Sequence, residues 1–174
     1  MRLRGLTLIE LITALAVLGV LAALAVPTFT ELLLDSRRSA SVNALVGAVQ
    51  LARSEAVKRT RPVTVCKTAD GLSCAGSAAD WSGGWLVFVP SQPTRPTRFD
   101  TGAVVLRVDQ PPYRGTISAN RDAFVFRPAP QRSTNGTVMF CDQRGSTSAR
   151  AVIVSHTGRP RSSPYLPDGR ALAC

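Results

Sequence analysis

Hydrophobic positions along this chain fall into three regimes. Residues 6 to 30, LTLIELITALAVLGVLAALAVPTFT, are apolar except for Glu10 and a few hydroxyl side chains. As a helix this stretch exceeds the ~20 residues that span a bilayer. Beyond it, Val42, Leu45, Val46, Val49, Ala52 and Ala56 recur at three- and four-residue steps, the period of an amphipathic helix that carries on to about Lys58. Pro27 removes one backbone donor, and with Gly19 it predicts a curved or locally loosened helix. After Arg61-Pro62 the pattern changes to short β-rich runs: Val63 to Lys67, Trp85 to Val89, Ala103 to Val108, Ala123 to Phe126, Thr137 to Cys141 and Arg150 to Ser155. Clusters of Gly, Pro, Ser and Asn separate them. Asn135-Gly136 reads as the tight turn of a hairpin leading into the Thr137 strand, and Ser91 to Pro96 as a loop.

The expected fold class is therefore α+β, with a long N-terminal helix packed on a β-rich antiparallel head. The divisions are a leader over residues 1–5, a membrane-spanning or filament-core helix over 6–30, its amphipathic continuation over 31–60, and a head over 61–174. Trp81, Trp85, Phe88, Phe124, Phe126 and Phe140 are expected in the core, with Tyr113 and Tyr165 freer to touch a ligand.

Charge refines this layout. The 174 residues carry 21 Lys and Arg against 11 Asp and Glu, a formal +10, so the surface field attracts polyanions and anionic lipid head groups. Arg2 and Arg4 precede the apolar run, which predicts a cytoplasmic N-terminus, a single span of a bacterial inner membrane and an exported head. Ala23-Leu24-Ala25 offers a rival reading, a signal cleaved after Ala25 to release a periplasmic binding protein. The length of the run and the carboxylate inside it argue against that, since a lone acid in a span costs about 2.5 kcal/mol or more and is normally there for a partner.

Cys66, Cys74, Cys141 and Cys174 all lie beyond the span, an even count that suits disulfides in an oxidising compartment. Cys66 and Cys74 bracket a short segment, and Cys141 on a strand is placed to hold the terminal Cys174, although four cysteines allow three connectivities. Neither their spacings nor the one histidine, His156, match a tetrahedral zinc pattern, so no metal and no cofactor is expected. No nucleophile elbow or paired carboxylates accompany His156, which reads as a turn residue in a non-enzyme.

Gly5 followed by Leu6-Thr7-Leu8-Ile9-Glu10 resembles the class III signal of type IV prepilins, with Leu6 where that family more often has Phe. The resemblance implies that a prepilin peptidase cuts after Gly5 and methylates Leu6. It also implies that Glu10 pairs with a neighbouring subunit's N-terminal amine, making other pilins or pseudopilins its partners and membrane lipid its surroundings before assembly into a pilus or pseudopilus. An amine and a carboxylate brought together in a filament core compensate charges that would be costly apart.

Trp81-Ser82-Gly83-Gly84-Trp85-Leu86-Val87-Phe88, Phe140-Cys141-Asp142-Gln143-Arg144-Gly145 and Arg150 to Ser155 resemble the GspH/FimT branch of these proteins. Gly158-Arg159-Pro160-Arg161 is similar to the G-R-x-R element of FimT, which implies non-specific binding of double-stranded DNA by Arg159 and Arg161 during natural transformation; Arg144, Arg150 and Arg170 are further candidates from the basic context alone. The physical case is separate. Two permanently charged guanidiniums flank a proline after a glycine turn, within a basic context of Arg121, Arg127, Arg132, Arg144, Arg150 and Arg170. DNA uptake, with or without pilus priming, is thus one expected function; the other is a structural, GspH-like pseudopilin of a type II secretion system, which has no need of the arginine pair.

Overall fold

A computed structural model describes residues 7–77 and 79–174. Gly5 and Leu6, the expected cleavage and methylation site, lie outside the described residues. The chain divides into two compact units, residues 1–36 and 37–174, and one helix, α1 (Leu8–Arg59), contributes to both.

In the first unit Thr7 Oγ1 accepts from the Glu10 N–H at 3.3 Å. The helix thus begins with a hydroxyl cap and an acid three residues later, where the helix dipole favours negative charge. The apolar side chains from Leu8 to Leu32 are exposed, and among the described residues this is one helix long and apolar enough to cross a membrane. The helix runs through Pro27 without interruption. Around it the Thr30 hydroxyl donates to the carbonyls of Val26 and Pro27 at 2.7 and 3.0 Å.

The second unit holds the remainder of α1 and eight strands among the described residues: β1 (Val63–Lys67), β2 (Trp85–Val89), β3 (Val104–Asp109), β4 (Thr116–Ala119), β5 (Ala123–Phe126), β6 (Gly136–Cys141), β7 (Arg150–Val154) and β8 (Pro160–Ser163). They form two antiparallel sheets, ordered β3-β2-β1-β5 and β4-β6-β7-β8. Val42, Leu45, Ala48, Val49, Ala52 and Ala56 of α1 are buried against core residues of both sheets, among them Val65, Trp85, Phe124, Phe126, Phe140 and Val152. Ala48, Ala52 and Ala56, four apart, make a flat helix stripe that lets the bulky aromatics approach closely. All six aromatics expected in the core are no more than 1% exposed.

Gly84 precedes β2 at φ +114°, and a Cβ there would clash with the Asp109 carbonyl oxygen, so the glycine before Trp85 permits the close pairing of β2 with β3. Trp85 Nε1 then donates to Asp109 Oδ2 at 3.0 Å. The disulfides are Cys66–Cys74 and Cys141–Cys174. The second ties the C-terminal tail to β6, and Leu172 of that tail is buried beside Ala149, Ala151 and Ile153.

Three local expectations are corrected. Asn135-Gly136 is not a hairpin turn: Gly136 is already in β6, which pairs with β4 and β7 while the preceding β5 belongs to the other sheet. What requires glycine there is the Asn120 side chain, whose Oδ1 would stand 2.6 Å from a Cβ. The Arg159/Arg161 segment is not wholly loop, because Arg161 lies in edge strand β8 opposite Ile153; a strand that begins with proline gives no alternating signal but is acceptable at an edge. Tyr113 is not free for a ligand. It packs edge-on against Phe140 at 5.9 Å, and burial pushes its phenol up to about 12.

Candidate functional site

Helix α1 stops at Arg59 because Pro62 follows, with Thr60 in the left-handed region at φ 51°. Lys58 and Arg59 in the last turn suit the negative end of the helix dipole. The chain reverses there into β1, whose start lies between the end of β5 and the end of β2: Val63 is opposite Phe126, and Thr64 is opposite Phe88. The segment leaving β5 and the turn joining β7 to β8 therefore gather at the pole of the head where α1 ends.

Both connections are tightly specified. In the β7–β8 turn the Gly158 N–H donates to Ser155 O at 2.8 Å, and Ser155 N–H to Arg159 O at 3.1 Å. The Arg159 N–H donates to Ser155 Oγ at 3.2 Å. Gly158 sits at φ +71°, and a Cβ on it would be 3.0 Å from Phe126 Cδ1 and 3.4 Å from Arg53 Cδ. This glycine therefore supplies both the left-handed turn and the space that brings the hairpin against the helix. In the segment after β5, Arg127 N–H donates to Ser133 Oγ at 3.2 Å, Thr134 N–H to Val125 O at 2.8 Å, and Ser133 N–H to His156 O at 2.9 Å. The last bond joins the two connections.

Between them lies an open cleft of about 560 Å³, lined by Arg53, Val57, Arg127, Ala129, Pro130, Gln131, Arg132, Ser133, His156, Thr157 and Arg159. Four arginines line it, with no carboxylate among its described lining residues. Arg127 is steadied by donating from Nη1 to the Arg132 carbonyl at 3.3 Å. Like charges held together without a counter-charge form a region of positive potential that an anion relieves. Guanidiniums match the oxygens of phosphate in paired hydrogen bonds.

Arg159 lines this cleft. Arg161, two residues along, is exposed on β8 and does not line it. Arg150 opens β7, the strand end opposite the turn. Arg144 is held by Asp142, Nε to Oδ1 at 3.1 Å and Nη2 to Oδ2 at 2.7 Å; those hydrogen bonds hold the Asp142 carboxyl below its ordinary value. Arg170 is paired with Asp168. The structure thus joins Arg127 and Arg132 to Arg159, and not Arg144, Arg150 or Arg170. Sequence reasoning did not single out Arg53. Its one signal is its place beside buried Ala52 on the helix stripe, at the edge of the packed face. Glu10 stands exposed in the first turn of α1. No group of His, Cys, Asp and Glu suited to a metal ion occurs among the described residues.

Residues 41–158 match the family described as Type II transport protein GspH, and residues 1–26 match the prokaryotic N-terminal methylation motif. The chain is 30% identical over 170 residues to the pilin-like protein PilA1 of Thermus thermophilus, covering 91% of this chain and 97% of that one. It is 36% identical over 81 residues to the type IV narrow pilus major component PilA5 of the same organism, covering 44% of this chain and 69% of that one. Among solved structures, the type IV minor pilin FimU of Pseudomonas aeruginosa shares the fold in two crystal forms. One has TM-score 0.55 at 21% identity, covering 83% of this chain and 96% of that one; the other has TM-score 0.52 at 21% identity, covering 77% and 96%. A methylation motif heading an apolar helix, a helix-backed pair of sheets and a family match over most of the head agree on one class, and the chain belongs to the GspH family, as a type IV minor pilin or pseudopilin.

Proposed function

We propose that this pilin binds DNA without sequence preference through the arginine cleft at the α1 end of its head, and that it serves DNA uptake in natural transformation once built into a pilus. The observation that carries the proposal is the convergence of Arg53, Arg127, Arg132 and Arg159 on one cleft with no lining carboxylate among the described residues. Arg161, exposed on the adjoining edge strand, extends the positive surface. The described aromatics are mostly committed to the core, so affinity comes from phosphate neutralisation and is strongly salt-dependent. A single head holds DNA weakly, and repeated or neighbouring subunits raise the effective affinity. In this reading Gly5 and Leu6 are the processing site, and Glu10 meets the N-terminal amine of a neighbouring subunit during assembly. The helix rests in inner-membrane lipid beforehand, with the head on the periplasmic side.

The test is anisotropy of a labelled 20-base-pair duplex with the full chain in a neutral detergent, across a salt series, beside Arg127→Ala/Arg132→Ala/Arg159→Ala. Binding should fall as a power of salt concentration, with a slope of about 0.9 for each phosphate contact. The triple variant should lose most of it, while Arg150→Ala/Arg170→Ala binds like the unaltered protein. Absence of binding at low salt, or equal binding by the triple variant, would overturn the proposal and leave a structural pseudopilin of a type II secretion filament as the better reading.

A further inference from the structure

The Pro-rich connection between β2 and β3 holds two arginines that the cleft does not use. Arg95 and Arg98 are exposed and form no ion pair among the described residues. Their backbone is firmly held. Thr64 Oγ1 donates to Pro96 O at 2.7 Å, Arg61 Nη2 to Ser91 O at 3.1 Å, and Ser91 Oγ to Asp100 Oδ2 at 2.7 Å. Arg98 N–H donates to Arg95 O at 3.1 Å, closing a turn that spans the two arginines. Prolines at 93 and 96 restrict the segment further. Two flexible cations on an ordered backbone lose less entropy on meeting a ligand than the same cations on a mobile chain.

This connection opens at the same pole as the cleft. The start of β1 is flanked by Phe126 on one side and Phe88 on the other, so the segment bearing Arg127 and the segment bearing Arg95 leave the sheet on either side of β1. Two strand spacings separate their exits, about 10 Å. The carboxylates of that pole are engaged: Glu55 with Lys58 and Arg59, and Asp100 with Ser91 Oγ and the Gly102 N–H.

We infer that the Ser91–Arg98 segment is a second DNA-contacting strip, and that the ligand is a duplex straddled by the two strips. The cleft arginines take phosphates of one strand, and Arg95 and Arg98 take phosphates of the other across a groove. The grooves of B-DNA are about 6 and 12 Å wide, the same scale as the separation of the two strand exits from which the strips arise. A single strand presents one line of phosphates and engages one strip. This inference rests on the DNA-binding reading above and commits it to double-stranded DNA.

The experiment compares a 20-base-pair duplex with a 20-nucleotide single strand, using the full chain in neutral detergent. Arg95→Gln/Arg98→Gln is measured beside the cleft variant Arg127→Gln/Arg132→Gln. Loss of two phosphate contacts should lower the duplex salt slope by about 1.8, while single-strand binding stays within twofold. Charge reversal, Arg95→Glu/Arg98→Glu, should deepen the duplex loss. An unchanged duplex slope in the loop variants, with binding still lost in the cleft variant, overturns this inference and leaves the cleft reading standing. Equal losses for duplex and single strand also overturn it. Binding of neither nucleic acid by the unaltered protein overturns both.

Discussion

Replacing Gly158 with alanine tests the local geometry on which the arginine cleft depends. Two terms oppose the substitution. Residue 158 sits at φ +71°, and a residue with a Cβ pays roughly 1–2 kcal/mol for that left-handed conformation. The new Cβ would also stand 3.0 Å from Phe126 Cδ1, inside a fully buried ring, and 3.4 Å from Arg53 Cδ. The arginine stem can move aside, but the ring cannot shift without disturbing a close-packed core, a cost of about 1 kcal/mol or more. Lost backbone freedom in the unfolded chain returns about 0.4–1 kcal/mol. The net expectation is a destabilisation of about 2 kcal/mol. Gly169→Ala supplies the control, since Gly169 has φ +85° and nothing within 4 Å of its would-be Cβ; it feels the backbone term and not the contact. Urea unfolding of the full chain in detergent, followed by the fluorescence of buried Trp81 and Trp85, reads the head alone because both tryptophans lie in it. Gly158→Ala should fall below Gly169→Ala by about 1 kcal/mol. If the two are equally stable, Phe126 and the turn are not in the contact described, and the placement of Arg159 beside Arg53 fails with it.

The disulfides should differ in worth. Loop-closure entropy gives ~3.7 kcal/mol for the 33-residue separation of Cys141–Cys174 and ~2.5 kcal/mol for the 8-residue separation of Cys66–Cys74. Cys141→Ala/Cys174→Ala should therefore unfold at lower urea than Cys66→Ala/Cys74→Ala; the reverse order would mean that the tail melts independently of the head. Asp142→Asn removes a carboxylate whose folded-state pKa is lowered by hydrogen bonds from Arg144. Its stability deficit should be full above the ordinary carboxylate value of 3.8 and should shrink as acid is added below it, and a deficit that persists unchanged at low pH would place the cause elsewhere. Tyr113→Phe removes a buried hydroxyl with no hydrogen-bond partner among the described residues, so stability should hold or rise. Because burial raises the phenol from 10 to about 12, the unaltered head should hold its stability up to pH 10 and lose it as the pH climbs through about 12, a loss that the Phe variant does not share; ultraviolet titration finding Tyr113 ionised near 10 would refute the burial argument.

What the sequence disclosed follows the range of each signal. The strands β1, β2 and β5 are legible to the residue because each is a short run of β-branched and aromatic side chains between breakers. β4 (Thr116–Ala119) and β8 (Pro160–Ser163) are not, because their short sequences, Thr-Ile-Ser-Ala and Pro-Arg-Ser-Ser, hold fewer β-branched or aromatic residues than edge strand β5. The long helix announces itself by hydropathy and then by period, a signal that accumulates over many turns. Asn135-Gly136 misleads because the dipeptide has the chemistry of a two-residue turn, whereas the glycine answers a long-range demand, the approach of Asn120.

The candidate site follows the same rule with greater force. Arg159 is marked by its neighbours in sequence, Gly158 and Pro160, but the other cleft arginines are far from it along the chain and meet it only through pairing register. Val63 opposite Phe126 fixes where Arg127 emerges, and the fit of Gly158 against Phe126 and Arg53 fixes where the β7–β8 turn rests. Arg144, Arg150 and Arg170 look equivalent to Arg127 and Arg132 as letters in a basic context. They differ in that Arg144 and Arg170 have carboxylates two residues away that neutralise them locally, while Arg150 begins the strand whose end leads to the cleft. An arginine count therefore overstates the field available to a ligand. The charges that remain for one are those whose strand ends share a pole and whose local acids are already engaged, and that property belongs to the topology of the two sheets.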